Sequence, residues 1–214
     1  MSVISRTGTH GEYFGSSFDK SGTLTSDQMK VNSKYIYSFL ASKGWSTNAV
    51  AAMLGNMEAE SGLNPGRWQS DSVGNTAAGY GLVQWTPATK YLDWCASEGY
   101  SDASEMDSGL NRIIFEAENQ LQWIQTEDFS FSFSDFTKSD RNAGELAIAF
   151  LLNYERPADQ GASVQNYRSE LGSKWFEYIT ENGGSSGGES GQIGYRRKRK
   201  KFKFILFNKR RFLV

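Results

Sequence analysis

Apolar residues recur three or four positions apart along most of the chain, which is the spacing that lines one face of an α-helix. The pattern predicts six helices: 27–42, Ser46 to Gly62, one opening at Thr86-Pro87, 107–126, one through Leu146 and Asn153, and 163–181. The run 129–136 alternates like a strand, but we expect a loop or short helix there because its surroundings are helical. The predicted fold class is therefore mainly α.

The segments without this pattern divide the chain. Residues 1–25 are rich in Ser, Gly and Thr and are predicted to form a flexible, loosely ordered leader, followed by one compact domain over residues 26–180. Inside that domain, residues 62–86 lack periodicity, so we expect a long loop or short hairpin with a functional role. Residues 181–194 have the composition of a flexible Gly/Ser-rich linker, and residues 195–214 are a basic tail.

The second predicted helix carries an acidic residue to its end. Val50, Leu54 and Met57 share one face, and Glu60, three positions after Met57, lies on or beside that apolar face. Partial desolvation and the negative end of the helix dipole both disfavour an ionised carboxylate there. A carboxyl group that stays protonated near neutral pH can act as a general acid, so Glu60 is the candidate catalytic residue. The alternative is an acid that only bonds local backbone.

Charge and composition limit the kinds of binding and catalysis that the chain can support. Residues 195–214 hold ten Lys and Arg and no acid, so residues 1–194 carry 13 basic against 24 acidic side chains. An acidic body of this kind is poorly suited to holding nucleic acid along its whole surface. Cys95 and His10 are the chain's one cysteine and one histidine, which excludes an internal disulfide, a Cys–His nucleophile pair and a zinc cluster. Catalysis is therefore expected to depend on carboxylates and amides, with no cofactor or metal.

Three short segments, in order, resemble those of a known group of enzymes. Glu60-Ser61, Gly81-Leu82-Val83-Gln84 and Asn153-Tyr154-Glu155 are similar to the signature segments of goose-type lysozymes and lytic transglycosylases. The longer runs GWSTNAVAAMLGNMEAES, GYGLVQWTPATKYLDW and LLNYERPAD resemble more closely the phage tail lysozyme family, especially the lysozyme domain of tail-knob peptidoglycan hydrolases of small Bacillus podophages. The resemblance covers residues 27 to about 180.

The resemblance implies a lysozyme-like helical domain that cleaves the β-1,4 bond between N-acetylmuramic acid and N-acetylglucosamine, with Glu60 as the acid. It also implies substrate-binding roles for five residues: Ser61, Tyr80, Gln84, Trp85 and Tyr154. Gln84 would bond an N-acetyl group or orient a water, and the Tyr154 hydroxyl would lie near the catalytic acid. Structural roles are the alternative: Ser61 as a helix-end hydrogen bonder, Gln84 as a partner of loop backbone, and the aromatic residues as core.

Three interpretations of the reaction stay open. A hydrolase needs a second participant, for which Asp71, Asp93 and Glu155 are candidates. A lytic transglycosylase needs no second acid, because Glu60 would protonate the leaving oxygen and then help the muramyl 6-hydroxyl close a 1,6-anhydro ring. The third interpretation is an inactive glycan-binding or tail-structural module. We expect hydrolysis, because the resemblance to phage lysozymes is the closer one.

The expected partners are peptidoglycan glycan strands and other phage tail proteins. The basic tail at 195–214 suits polyanions such as nucleic acid, teichoic acid or anionic lipid, and a tail without a dedicated partner is the alternative. Residues 1–17 lack the apolar core of a signal peptide, and no stretch approaches the ~20 apolar residues of a membrane span. The expected location is the virion, in the phage tail, acting on the host cell wall during DNA entry.

Overall fold

The computed structural model describes residues 2–182 of the 214-residue chain. A hairpin of two antiparallel strands precedes seven α-helices in this range. The elements are β1 (Val3–Gly8), β2 (Gly11–Ser16), α1 (Ser26–Ser42), α2 (Thr47–Ser61), α3 (Thr89–Ser97), α4 (Met106–Glu118), α5 (Phe133–Lys138), α6 (Ala143–Phe150) and α7 (Ala162–Asn182). The prediction of a mainly α, lysozyme-like domain is confirmed. The basic tail and all of the predicted linker beyond residue 182 lie outside the described residues.

Helix α2 is the central helix and packs against α6 and α7. As predicted, the Ser46 side chain caps its start by accepting a hydrogen bond from the Ala49 amide, and Gly62 ends it with a left-handed φ of 61°. Every residue from Ala49 to Met57 is buried, so the helix is enclosed on all sides rather than along the one face that the sequence predicted. Its first two residues and its last turn reach the surface, and the last turn carries Glu60.

Two glycines allow α2 and α7 to approach closely. A Cβ atom built on Gly55 of α2 would lie 2.5 Å from the backbone nitrogen of Gly172 in α7, which leaves no room for a side chain. Arg168 lies one turn before Gly172 and donates a hydrogen bond from Nη1 to the Asn56 carbonyl at 3.1 Å. The close approach therefore brings an arginine of α7 to the end of α2.

The prediction of a loosely ordered leader is wrong for residues 3–16, which form the β1–β2 hairpin. Two buried amides hold it. Asn32 of α1 accepts from the Phe14 amide and donates to the Phe14 carbonyl, both at 2.7 Å, and Asn64 accepts from the Ser16 amide at 3.0 Å. These partners lie far along the chain, so the composition of the leader gives no sign of them.

The elements around the long loop differ from the prediction at their ends. Helix α4 ends at Glu118 and not near residue 126, because Gln120 and Gln122 have φ values of 51° and 65° that interrupt a helix. Helix α3 begins at Thr89, after the Thr86-Pro87 pair that was expected to open it. The loop between α2 and α3 contains two isolated β-bridges, Trp68–Tyr80 and Tyr80–Trp85.

No helix in residues 2–182 is long and apolar enough to span a membrane.

Candidate active site

A groove of about 710 Å³ opens at the surface end of α2. This volume is within the range of about 300–1,000 Å³ that is usual for ligand sites. Its lining comes from the end of α2, the long loop, α3 and the segments that follow α4 and α6: Glu60, Arg67, Gln69, Ser70, Val83, Gln84, Trp85, Thr86, Lys90, Gln122, Tyr154, Glu155, Arg156, Pro157 and Ala158. The three segments singled out in the sequence therefore meet at one groove.

Glu60 is the lining carboxylate that reaches solvent, with 25% of its side chain exposed. Its Oε1 accepts a hydrogen bond from Nη2 of Arg168, so a guanidinium faces it where the sequence predicted an apolar surrounding. Glu58, two positions earlier, points away from the groove and bonds Lys174 Nζ at 2.8 Å and Trp175 Nε1 at 2.7 Å. The last turn of α2 thus presents one of its two acids to the groove.

A second carboxyl group, Glu155, lies behind Glu60 with 5% of its side chain exposed. Nη2 of Arg168 lies 3.3 Å from its Oε2, but neither Glu155 oxygen accepts a hydrogen bond from another described residue. Burial first, and then the negative charge of Glu60, raise the pKa of Glu155 well above its usual range, while Arg168 opposes this shift. Glu155 is therefore a buried carboxyl group next to an ion pair, in surroundings that favour its neutral form.

A third acid, Glu116 of α4, bonds two of the aromatic residues that line the groove, Trp85 and Tyr154. Its carboxylate accepts hydrogen bonds from the Tyr154 hydroxyl, from Trp85 Nε1 at 3.1 Å and from Arg112 Nε at 2.9 Å. Burial raises the pKa of Glu116, and the three donors oppose that shift. Tyr154 was expected to place its hydroxyl near the catalytic acid; the structure gives that hydroxyl to Glu116 instead.

Two of the predicted substrate-binding residues are part of the scaffold. Ser61 is buried and donates to the carbonyl oxygens of Met57 and Leu82, at 3.1 and 2.8 Å, which fixes the loop onto the end of α2. Tyr80 is fully buried and packs on Trp68. The prediction that these two side chains contact substrate is wrong, because both are buried and neither lines the groove. Trp85 and Tyr154 are also buried, but they are part of the groove lining. For Ser61, the alternative of a helix-end hydrogen bonder is confirmed.

Gln84 remains a substrate-binding candidate. Its Nε2 donates to the carbonyl oxygens of Arg67 and Gly81, at 3.1 and 2.9 Å, which holds the loop in shape. The side chain also lines the groove, and its Oε1 accepts no hydrogen bond from the residues between 2 and 182. The amide thus satisfies loop backbone, as in the structural interpretation, and keeps one free acceptor for a ligand.

The sequence named three candidates for a second carboxylate, and one of them lines the groove. Asp71 has 59% of its side chain exposed and pairs with Arg67 at 3.0 Å, and Asp93 is exposed on α3; neither residue is part of the lining. Glu155 is part of it, but it is buried behind Glu60. Among the described residues, the groove therefore offers one accessible carboxylate.

Neither Arg168 nor Glu116 was predicted from the sequence, although each occupies an informative position in its helix. Arg168 precedes Leu171 and Trp175 by three and seven positions, so it occupies the apolar face of α7. Glu116 follows Ile113 by three positions on the apolar face of α4. A charged residue inside an apolar helical stripe requires a partner of opposite charge or a hydrogen bond, and both residues have an ion-pair partner.

A helical domain whose central helix ends in a groove with one accessible glutamate is typical of lysozyme-like proteins. The sequence profile of the family described as phage tail lysozyme matches residues 31–179, and the chain belongs to that family. Morphogenesis protein 1 of Bacillus phage B103 is 45% identical over 166 residues, which cover 78% of this chain and 44% of that protein. The chain thus spans less than half the length of this relative.

Replacing Tyr154 with Phe is expected to destabilise the domain by about 1.5–3 kcal/mol, because the change removes a hydrogen bond to the buried Glu116 carboxylate. Urea unfolding of the purified variant measures the loss. Tyr80→Phe is the matched control, since the Tyr80 hydroxyl is buried and has no hydrogen-bond partner within residues 2–182. The control should lose no stability, and equal losses in both variants would contradict the role given to Glu116.

Glu155→Gln is expected to change how stability depends on pH. A carboxyl group whose pKa is raised in the folded state stabilises the fold fully below its ordinary value of 4.5, and the contribution is lost as pH rises through the raised value. The glutamine variant lacks this loss. Its free energy of unfolding relative to that of the wild type should therefore rise with pH, by at most about 1.4 kcal/mol per pH unit. Urea unfolding across the neutral range measures the difference, and a difference independent of pH would contradict the burial of Glu155.

Proposed function

We propose that this domain cleaves the β-1,4 glycosidic bond between N-acetylmuramic acid and N-acetylglucosamine in bacterial peptidoglycan, with Glu60 as the general acid. The observation that carries the proposal is the placement of Glu60, the accessible carboxylate of the large groove, at the end of the buried helix α2. Membership of the phage tail lysozyme family supports the substrate class.

The chemistry requires a proton on the glycosidic oxygen and stabilisation of a cationic sugar centre. Glu60 supplies the proton to the leaving oxygen. Gln84 orients the sugar, because its free Oε1 can accept a hydrogen bond from the N–H of an N-acetyl group. The ionised Glu60 that remains lies beside the developing positive charge and stabilises it.

We further propose that water, rather than a sugar hydroxyl, completes the reaction, in keeping with the family's lysozyme character. The transglycosylase route is the second candidate, and one observation favours it: within residues 2–182 the groove has one accessible carboxylate, and that route needs no second acid. Glu60, acting as a base, would then activate the muramyl 6-hydroxyl of the substrate.

Product analysis in water enriched with heavy oxygen separates the two routes. Hydrolysis places the heavy isotope on each new reducing end. The transglycosylase route gives anhydro ends that are lighter by one water and carry no heavy isotope. Products of the second kind would replace hydrolysis with ring closure, whereas an intact glycan after prolonged incubation would contradict both routes.

We also propose that the protein is part of a phage tail and opens the cell wall for DNA entry. The family description and the name of the B103 relative, Morphogenesis protein 1, support a virion-associated protein. Peptide mass spectrometry of purified phage particles tests this setting. Peptides from this chain should be present in washed particles, and their restriction to the lysate would contradict a tail location.

A further inference from the structure

Three ionisable side chains from separate parts of the chain meet at the back of the groove. They are Glu60 at the end of α2, Glu155 at the end of the helical turn 151–155, and Arg168 in α7. Nη2 of Arg168 contacts both carboxyl groups. The exposed fractions are 25% for Glu60, 5% for Glu155 and 7% for Arg168, so Glu60 is the member of this cluster that can touch a bound sugar.

The charges of this cluster do not balance if both acids are ionised. Two carboxylates and one guanidinium leave a net negative charge in a nearly dry site, which is costly. Glu155 would bear most of the cost, because neither of its oxygens accepts a hydrogen bond from the part of the chain the structure describes. One proton on Glu155 makes the cluster neutral and turns this group into a donor beside Glu60.

Within residues 2–182, no other charged group competes for Glu155. Arg156, its neighbour in the chain, directs its guanidinium to the carbonyl oxygens of Gln122 and Asn153. Tyr154 gives its hydroxyl to Glu116. The charged groups that face Glu155 are therefore Glu60 from α2 and Arg168 from α7.

We propose that Glu155 is a positioning residue that stores the proton for Glu60, so that Glu60, Glu155 and Arg168 act as one unit with a single shared proton. The inference rests on the proposed role of Glu60 as general acid. It explains how a carboxylate paired with an arginine can still deliver a proton at neutral pH.

The proton moves because bound substrate changes the surroundings of Glu60 but not those of Glu155. A sugar that covers the groove removes the remaining water from Glu60, while Glu155 keeps Arg168 as a counter-ion when it ionises. The proton passes from a Glu155 oxygen to a Glu60 oxygen, and then to the glycosidic oxygen as the bond to the anomeric carbon breaks and its electron pair goes to the leaving group. The attacking water, or the muramyl 6-hydroxyl, returns one proton to the unit through Glu60.

The first test is the pH profile of kcat/KM for Glu155→Gln, which keeps the shape of the side chain but stores no transferable proton. The alkaline limb should move to lower pH by at least about one unit, which makes the variant about tenfold slower at neutral pH and less impaired in acid. A structural role alone would lower the rate by one factor at every pH, and that result, or an unchanged profile, would overturn the proposal. Glu58→Gln, outside the groove, should keep the profile of the wild type.

The second test needs no activity and remains valid if the first variant fails to fold. Carboxyl-carbon NMR titration of the full chain with labelled glutamate follows the pKa of Glu155 in the wild type and in Glu60→Gln. Because the Glu60 charge raises the pKa of Glu155, the titration midpoint of Glu155 should fall when residue 60 is neutral. Equal midpoints would overturn the shared proton. An inactive wild type with coupled midpoints would instead contradict the proposed function and leave the shared proton supported.

Discussion

Glu60→Gln is expected to slow peptidoglycan cleavage at least about a hundredfold, the lower end of what a general acid contributes. Glutamine keeps the size of the side chain and an oxygen that can accept from Arg168, so the groove should keep its shape. The amide has no acidic proton to give to the leaving oxygen. Release of soluble fragments from purified cell walls, measured with equal amounts of folded wild type and variant, gives the ratio.

Glu58→Gln is the matched control for this experiment. Glu58 lies on the same last turn of α2, but it bonds Lys174 and Trp175 away from the groove. Its replacement should leave the cleavage rate of the folded protein within about twofold of the wild type, since Glu58 does not line the groove. Full activity of Glu60→Gln would contradict the account. A wild type that binds cell walls but does not cleave them would favour the glycan-binding module.

Gly55→Ala is expected to destabilise the domain by about 2 kcal/mol and to lower the thermal midpoint by about 4–8 °C. The added Cβ would lie 2.5 Å from the backbone nitrogen and 2.9 Å from the Cα atom of Gly172. A backbone cannot rotate away as a side chain can, so α7 must shift and carry Arg168 away from Glu60. Calorimetry measures the stability, and the cleavage assay should show a loss larger than the unfolded fraction explains.

Gly109→Ala in α4 is the control for the change of glycine to alanine within a helix. There the new Cβ would meet the end of the Leu82 side chain at 3.1 Å, an atom that can move by a few tenths of an ångström. Alanine favours a helix by about 1 kcal/mol over glycine, so the control should stay close to the wild type. If Gly55→Ala were as stable as Gly109→Ala, the tight contact between α2 and α7 would not exist.

Local chemistry explains which features the sequence predicted. Ser46 and Gly62 have cap preferences that act over a few residues, so the ends of α2 and the place of Glu60 in its last turn follow from the chain itself. The aperiodic loop after α2 was also identifiable, because its composition is polar and rich in glycine. These signals place the acid and the loop next to each other.

Tertiary contacts explain what the sequence did not predict. Arg168 meets Glu60 across 108 residues of chain, and its position depends on the glycine contact between two helices. The hairpin over residues 3–16 depends on Asn32 and Asn64, whose side chains accept hydrogen bonds from the Phe14 and Ser16 amides. The burial of Tyr80 depends on how the loop folds onto α3 and Trp68. Periodicity and local composition carry no information about these long-range contacts.

The most direct test of the central claim is the identity of the bond that the purified full chain cuts. Mass spectrometry of fragments released from defined peptidoglycan should show breaks between N-acetylmuramic acid and N-acetylglucosamine, with the peptide stems intact. The same digestion with Glu60→Gln should release almost no fragments. Fragments produced by cleavage of amide bonds in the stems, or sugar breaks that continue at the full rate without the Glu60 carboxyl group, would contradict the account.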